Sequence, residues 1–202
     1  MKTNIHDIVV MPSRVERTQA LAWWVQSLYT DEAEKPVVVG GAAMELYAKG
    51  AFISADLDFV GNVPPTVAYK LREAGFERID RQWLFEEESV SLIFHGESLG
   101  SEERAVERIF GDYLVLIVSA EDLLVDRLSS WRYRQSPNHG MQAYMLYYLE
   151  HISMDIAHLH NRAVQEDVRP ALDSLIRLFF QNNGQLPRAH DLGEWAGKEI
   201  QS

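Results

Sequence analysis

Apolar and polar residues alternate over the first 118 positions in a way that predicts a mixture of short helices and strands. Ser13, followed by Glu16 three residues later, matches the capping pattern of a helix N-terminus, and apolar residues then recur at helical spacing up to Leu28. The apolar run 37–39 predicts a buried strand, and the run 42–49 predicts a short helix. A further helix is predicted over 64–74, because two prolines open it and Gly75 closes it.

Alternation of apolar and polar residues, bounded by turn residues, predicts the remaining strands of this half. They are expected at 56–60, 76–79, 82–86, 89–94, 105–109 and 113–118. From residue 119 onward the spacing of apolar residues becomes helical throughout. Helices are expected over 119–133, from Met141 to Leu159 as one long helix, over 168–179 and within 186–202.

These elements predict an α+β fold. We expect a mixed sheet with helices on one face, followed by a C-terminal helical bundle. The predicted domains are 1–118 for the α+β part and 119–202 for the helical region.

Charge and composition narrow the class of protein. The 202 residues carry a net charge of −11 and no Lys/Arg run, which makes duplex nucleic acid an improbable partner. No cysteine is present, so disulfides, thiolate zinc sites and a cysteine nucleophile are excluded. No apolar run approaches the ~18 residues of a membrane span. Since the first twelve residues also lack a secretion-signal pattern, we expect a cytoplasmic protein without membrane contact.

The residues that point to chemistry lie between positions 36 and 60. Gly40 and Gly41 follow a predicted strand and precede a helix, where backbone N–H groups and the helix dipole favour a phosphate. Asp56 and Asp58 are two residues apart on the next strand, so their side chains share one face. Carboxylate oxygens arranged in this way suit Mg²⁺ or Mn²⁺ together with phosphate oxygens. Lys49 is a further candidate for a phosphate contact.

The segment VVVGGAAMELYAKGAFISADLDFVG, residues 37–61, resembles the signature of the nucleotidyltransferase-fold superfamily, the DNA polymerase β-like group. It is most similar to a small bacterial branch that includes abortive-infection type toxins. The segment VSAEDLLVDRLSSWRYR, residues 118–134, resembles the region that those proteins place after the sheet.

This resemblance implies an enzyme that transfers a nucleoside monophosphate from a nucleoside triphosphate to a hydroxyl acceptor, with loss of pyrophosphate. Gly40, Gly41 and Lys49 would then bind the triphosphate, and Asp56 and Asp58 would be the catalytic metal ligands. The acceptor is not specified by the resemblance.

One departure from the family pattern opens an alternative. The superfamily uses a third carboxylate on a later strand, and Ser91 stands at the expected position. A neighbouring glutamate, within 86–88 or at 97, could replace it. Otherwise the chain would be a catalytically degenerate nucleotide-binding or regulatory protein on the same fold.

Three other patterns carry weaker hypotheses. His151, Asp155 and His158 have helical spacing and could ligate zinc, although an ordinary polar helix face explains them equally simply. Arg134 and His139 resemble the basic pair of some small helical RNases. The aromatic stripe 144–148 could form a homodimer interface or pack inside the chain.

Overall fold

In the computed structural model, which describes residues 4–86 and 90–199, seven strands form one mixed β-sheet. The strands are β1 (Val37–Val38), β2 (Leu57–Val60), β3 (Glu77–Ile79), β4 (Gln82–Phe85), β5 (Val90–His95), β6 (Ala105–Phe110) and β7 (Tyr113–Val118). Their order across the sheet is β3-β4-β5-β2-β1-β7-β6. Each strand lies where the sequence predicts one, to within a residue or two.

The direction of the strands changes at the centre of the sheet. β1 runs antiparallel to β2 and parallel to β7. β2 runs parallel to β5, with Asp58 opposite Ile93. The β3–β4, β4–β5 and β6–β7 pairs are antiparallel. This arrangement confirms the predicted α+β class and brings β2 and β5, which are distant in sequence, side by side.

Four α-helices accompany the sheet in the described part of the N-terminal half. They are α1 (Ile5–Val9), α2 (Arg14–Ser27), α3 (Gly40–Tyr47) and α4 (Pro65–Glu73), and a 3₁₀ turn covers Glu32–Glu34. The hydroxyl of Ser13 accepts the backbone N–H of Glu16, as the capping pattern predicts. Helix α3 begins two residues before the predicted start, and α1 is an element that the sequence reading did not predict.

Helix α2 packs against β7 and is fixed there by the buried side chain of Gln26. Its Nε2 donates to the carbonyls of Pro36 (2.9 Å) and Leu116 (2.7 Å), and its Oε1 accepts the N–H of Leu116 at 3.0 Å. A buried amide that makes all these hydrogen bonds stabilises the fold, whereas a buried amide without partners would destabilise it. Gln26 therefore holds α2 in a definite position over the sheet.

The chain forms two compact units, Met1–Ser119 and Ala120–Ser202. The second unit is helical. Its helices are α5 (Ala120–Arg134), α6 (Pro137–Glu150), α7 (Ile156–Gln165), α8 (Arg169–Gln181) and α9 (Ala189–Glu199). None of the helices in the described residues combines the length and apolar character that a membrane crossing requires.

The prediction of one long helix from Met141 to Leu159 was wrong. Helix α6 ends at Glu150, and α7 begins after Asp155, whose side chain accepts the N–H of His158 at 3.0 Å. This aspartate cap starts a new helix, so the apolar stripe does not continue through the break. Ile152, an apolar residue within the predicted long helix, is 90% exposed.

Candidate functional site

The candidate site is built around the start of α3. Val39, the residue before that helix, donates its N–H to the carbonyl of Asp58 at 3.0 Å, as the antiparallel β1–β2 pairing requires. Gly40 follows with φ +62°, a left-handed conformation that glycine adopts without strain. A Cβ atom on Gly40 would lie 3.4 Å from Oδ2 of Asp58. The N-terminus of α3 and the carboxylate of Asp58 are therefore direct neighbours.

Asp56 and Asp58 flank the buried residue Leu57 at the start of β2. Asp58 lies within β2, so alternation along the strand places its side chain on the face opposite Leu57, whereas Asp56 lies in the bend before the strand. The Asp58 side chain is 20% exposed, which leaves it accessible to a ligand. The structure thus places Gly40 and Asp58 together, with Asp56 two residues earlier in the chain.

Gly41 has a different environment from Gly40. A Cβ on Gly41 would lie 2.6 Å from Oγ of Ser54, so only glycine lets α3 approach the segment before β2 this closely. The Ser54 hydroxyl in turn donates to the carbonyl of Asp56 at 2.8 Å. Gly41 therefore packs α3 against the segment that carries Asp56.

Lys49 is not brought to Gly40. It is exposed and lies beyond the C-terminal end of α3, with φ +51°. An eight-residue helix is about 12 Å long, and Gly40 is at its other end. Lys70, another lysine near the sheet, donates from Nζ to the carbonyl of Leu28 at 2.6 Å and so has a structural partner.

His95 is a site residue that the sequence reasoning missed. Its Nε2 lies 2.9 Å from Oδ1 of Asp58, and since an ionised carboxylate only accepts, the histidine donates this bond. His95 ends β5, the strand parallel to β2. A histidine two residues beyond the position paired with Asp58 was the available signal, but it depends on a register that the sequence alone does not give.

Ser91 lies on β5, the strand predicted to carry the third acid. Because Ile93 pairs with Asp58, alternation places Ser91 and His95 on the same face as Asp58. Ser91 is buried, and its hydroxyl accepts from Nε2 of Gln82 at 2.7 Å. No acid occurs within the described strand Val90–His95.

The glutamates that could replace a third acid are not brought to this face by anything in the described residues. Glu86 follows β4 and Glu97 follows β5, and both are exposed. Positions 87 and 88 lie outside the described residues.

The donor set suits magnesium only in part. Within residues 4–86 and 90–199, no group of three or more His, Asp or Glu side chains is placed to hold a metal ion. Mg²⁺, however, is commonly bound by one or two carboxylates, with substrate phosphates and water completing its coordination. Asp56 and Asp58 match that smaller requirement.

A cavity of about 270 Å³ adjoins Asp56. It is lined by Arg14, Arg17, Thr18 and Leu21 of α2, by Glu45 of α3, by residues 54–57, and by Val90 and Ser91. Glu45 is only 1% exposed and accepts the Thr18 hydroxyl (3.0 Å) and the N–H of Ser54 (2.9 Å). The sequence analysis did not identify Arg14, Arg17 or Glu45, because they reach the cavity from two separate helices.

The weaker hypotheses of the helical unit find no support in this geometry. His158 contacts both carboxylate oxygens of Asp122, at 3.2 and 3.1 Å, and Asp155 caps α7. Together with His151 they do not form a metal-binding group in the described residues. His139 is half-buried, and burial, reinforced by the nearby Arg127 charge, lowers its pKa, so it is neutral at pH 7. Tyr144 and Tyr147 are buried inside the unit.

Gly40→Ala should disturb the candidate site, and the ligand to test is a nucleotide, as the sequence resemblance implies. The methyl group would point toward Asp58 Oδ2, and the left-handed backbone would cost about 1–2 kcal/mol of stability. The matched control is Gly111→Ala, since Gly111 has a similar φ of +57° and its Cβ would meet only the end of the Gln19 side chain. Thermal unfolding and nucleotide titration should show similar destabilisation in both variants but weaker binding only in Gly40→Ala; equal binding by both would remove Gly40 from the site.

Comparison with solved structures identifies the fold. The chain is similar to the crystal structure of an antigenic nucleotidyltransferase-like protein from Paracoccidioides brasiliensis, with a TM-score of 0.53 and 17% sequence identity. The likeness covers 81% of this chain and 91% of that chain. No protein-family model matches the sequence, and no curated protein matches it. The likeness confirms a nucleotidyltransferase-like fold.

Proposed function

We propose that this protein is a nucleotidyltransferase that transfers a nucleoside monophosphate from a nucleoside triphosphate to a hydroxyl acceptor, with Mg²⁺ or Mn²⁺ as cofactor. The observation that carries this proposal is the position of Gly40. Its left-handed backbone opens α3 next to the Asp58 carboxylate, so a helix N-terminus and a metal-type ligand face the same space. The nucleotidyltransferase-like fold supports the same reading.

Each group then has a physical role. The first N–H groups of α3 and the positive end of its dipole would bind phosphate oxygens of the triphosphate. Asp56 and Asp58 would hold Mg²⁺, which supplies charge neutralisation at the phosphate and at the departing pyrophosphate. His95 fixes the orientation of Asp58 through their hydrogen bond. Catalysis on this plan is mostly positioning and electrostatic stabilisation.

The finer assignment to the small bacterial branch with abortive-infection type toxins rests on the sequence resemblance of residues 37–61 and 118–134. We also propose a cytoplasmic location, as expected from the sequence pattern.

A specific observation favours a second candidate function, a nucleotide-binding protein without transfer activity. β5 presents Ser91 and His95 on the Asp58 face, and Ser91 is already engaged by Gln82. A hydroxyl or an imidazole does not bridge two metal ions as a carboxylate does. Such a protein would bind nucleotide and release no pyrophosphate.

The test is a calorimetric titration of ATP, GTP, CTP and UTP in the presence of Mg²⁺, together with an assay of pyrophosphate release. At least one nucleotide should bind with micromolar to millimolar affinity, and Asp56→Ala should weaken that binding by about tenfold or more through loss of a charged metal ligand. Binding without pyrophosphate release across a panel of hydroxyl acceptors would favour the second candidate. Absence of heat with all four nucleotides would overturn both.

A further inference from the structure

We propose that the cavity between α2 and the start of β2 binds a phosphate group on the hydroxyl acceptor, and that Arg14 and Arg17 recognise it. The cavity is the one that adjoins Asp56. This inference rests on the proposed function, since it assigns the acceptor as a small phosphorylated molecule. The existence of the cavity does not depend on the proposed function.

One wall of the cavity is a helix face with two cations. Arg14, Arg17, Thr18 and Leu21 recur at the spacing that aligns side chains on one face of a helix. The guanidinium of Arg17 donates from Nη1 to the carbonyl of Val9 at 3.1 Å, which uses one of its five N–H groups. Arg17 forms no ion pair with any acid in the part of the chain that the structure describes. Its charge is therefore available to an anion in the cavity.

Arg14 contributes less charge but fixes the wall. Its Nε lies 3.8 Å from Oε1 of Glu45, and its Nη2 donates to the carbonyl of Ser54. Glu45, although buried, is thus paired with a cation and accepts two hydrogen bonds, which offset part of its repulsion of an incoming anion. The Arg14 side chain is 43% exposed, which leaves part of its fork open to a ligand.

The opposite wall adds a neutral donor. The Ser91 oxygen accepts from Gln82, so its own proton can be donated to a different acceptor. Guanidinium groups and a hydroxyl donor match the several acceptor oxygens of a phosphate, which arginine binds in a bidentate manner. The two arginines and the hydroxyl therefore favour a phosphate over a neutral sugar.

Position and size indicate which substrate carries that phosphate. Asp56 lines the cavity, whereas Gly40 lies next to Asp58 and neither of these two residues lines the cavity. The triphosphate at Gly40 would thus lie next to Asp58, and an anion in the cavity would lie next to Asp56. About 270 Å³ falls just below the usual range of ligand pockets, so the occupant is a small group such as a phosphorylated sugar.

Ribose 5-phosphate is a suitable probe, with ribose as its uncharged control. In buffer without divalent metal, calorimetry should show binding of ribose 5-phosphate and none of ribose. Arg17→Gln should weaken binding by about tenfold, as expected for a charge-assisted hydrogen bond. Asp56→Asn should instead tighten it several-fold, because a negative charge facing the phosphate is removed. Arg177→Gln, on an exposed position of α8, is the matched control and should change nothing.

The opposite signs at Arg17 and Asp56 separate direct recognition from a loss of folding. No binding by the wild type at millimolar concentration, or equal affinity in the wild type and Arg17→Gln, would overturn the proposal.

A second experiment distinguishes a phosphate of the acceptor from a phosphate of the nucleotide. In the presence of Mg²⁺ and a saturating non-hydrolysable nucleoside triphosphate, ribose 5-phosphate should still bind. Competition between the two would show that the cavity holds the phosphates of the nucleotide, and the acceptor assignment would fall. If ribose 5-phosphate binds through Arg17 but no nucleotide binds, the proposed function is wrong, whereas the assignment of the cavity as a phosphate-binding site still holds.

Discussion

Asp58→Asn is expected to lower the rate of nucleotidyl transfer by at least about a hundredfold. The variant keeps the size of the side chain and can keep the contact with His95, but it removes the negative charge next to Gly40. Loss of one preorganised electrostatic contact in an active site costs a factor of about 10²–10³ in rate, and a metal ligand should cost no less. Pyrophosphate release from the nucleotide that the wild type binds measures the effect.

The control for this variant is Asp112→Asn, in the exposed turn between β6 and β7. It removes the same charge from the same unit, so any loss caused by net charge alone should appear there too. Binding of Mn²⁺, followed by electron paramagnetic resonance in the presence of nucleotide, gives a readout that does not need an acceptor. Unchanged pyrophosphate release and unchanged Mn²⁺ affinity in Asp58→Asn would exclude Asp58 as a metal ligand.

Asp122→Asn should lower the free energy of unfolding of the helical unit by about 3–5 kcal/mol, the usual cost of breaking a buried ion pair. The carboxylate accepts from Nε of Arg162 at 3.0 Å and contacts His158 Nε2, and its side chain is fully buried. Burial alone would lower the pKa of Arg162, but the hydrogen bonds and charges of Asp122 and Glu166 outweigh it and raise that pKa. The substitution would remove the buried carboxylate partner of this cation and leave it the half-exposed carboxylate of Glu166.

Urea denaturation followed by circular dichroism measures this loss. Asp173→Asn is the matched control, because Asp173 pairs with Arg169 at 2.8 Å on the surface of the same unit. Surface pairs contribute about 0–1 kcal/mol, so the control should unfold close to the wild-type midpoint. Similar losses in the two variants would show that the Asp122–Arg162 pair contributes no more to the free energy of unfolding than a surface pair does.

The sequence predicted the strands well because their signals are local. Alternating residues and turn residues mark six of the seven strands, and an uninterrupted apolar run marks β1, without reference to any other part of the chain. The juxtaposition of Gly40 and Asp58 was also predictable in outline, since a single antiparallel pairing of β1 with β2 produces it.

What could not be predicted depends on pairing between distant segments. The contact of His95 with Asp58 requires the parallel register of β2 with β5, and the Arg17 cavity requires the docking of α2 beside residues 54–57. The single long helix was predicted wrongly for a related reason. Apolar residues continued at helical spacing across the break, and the periodicity outweighed the cap signal of Asp155.

Strand β1 has one further consequence for the sheet. It consists of only two residues, and a single residue pair, Val38 with Ile117, joins it to β7. Pro36 has no backbone N–H to donate, so the backbone cannot extend the ladder upstream. The amide of Gln26 bonds to both Pro36 and Leu116 there and serves as an additional rung. A side chain from a helix thus reinforces the connection between the β3-β4-β5-β2 strands and the β7-β6 hairpin. If the sheet were to separate, we expect the break to occur between β1 and β7.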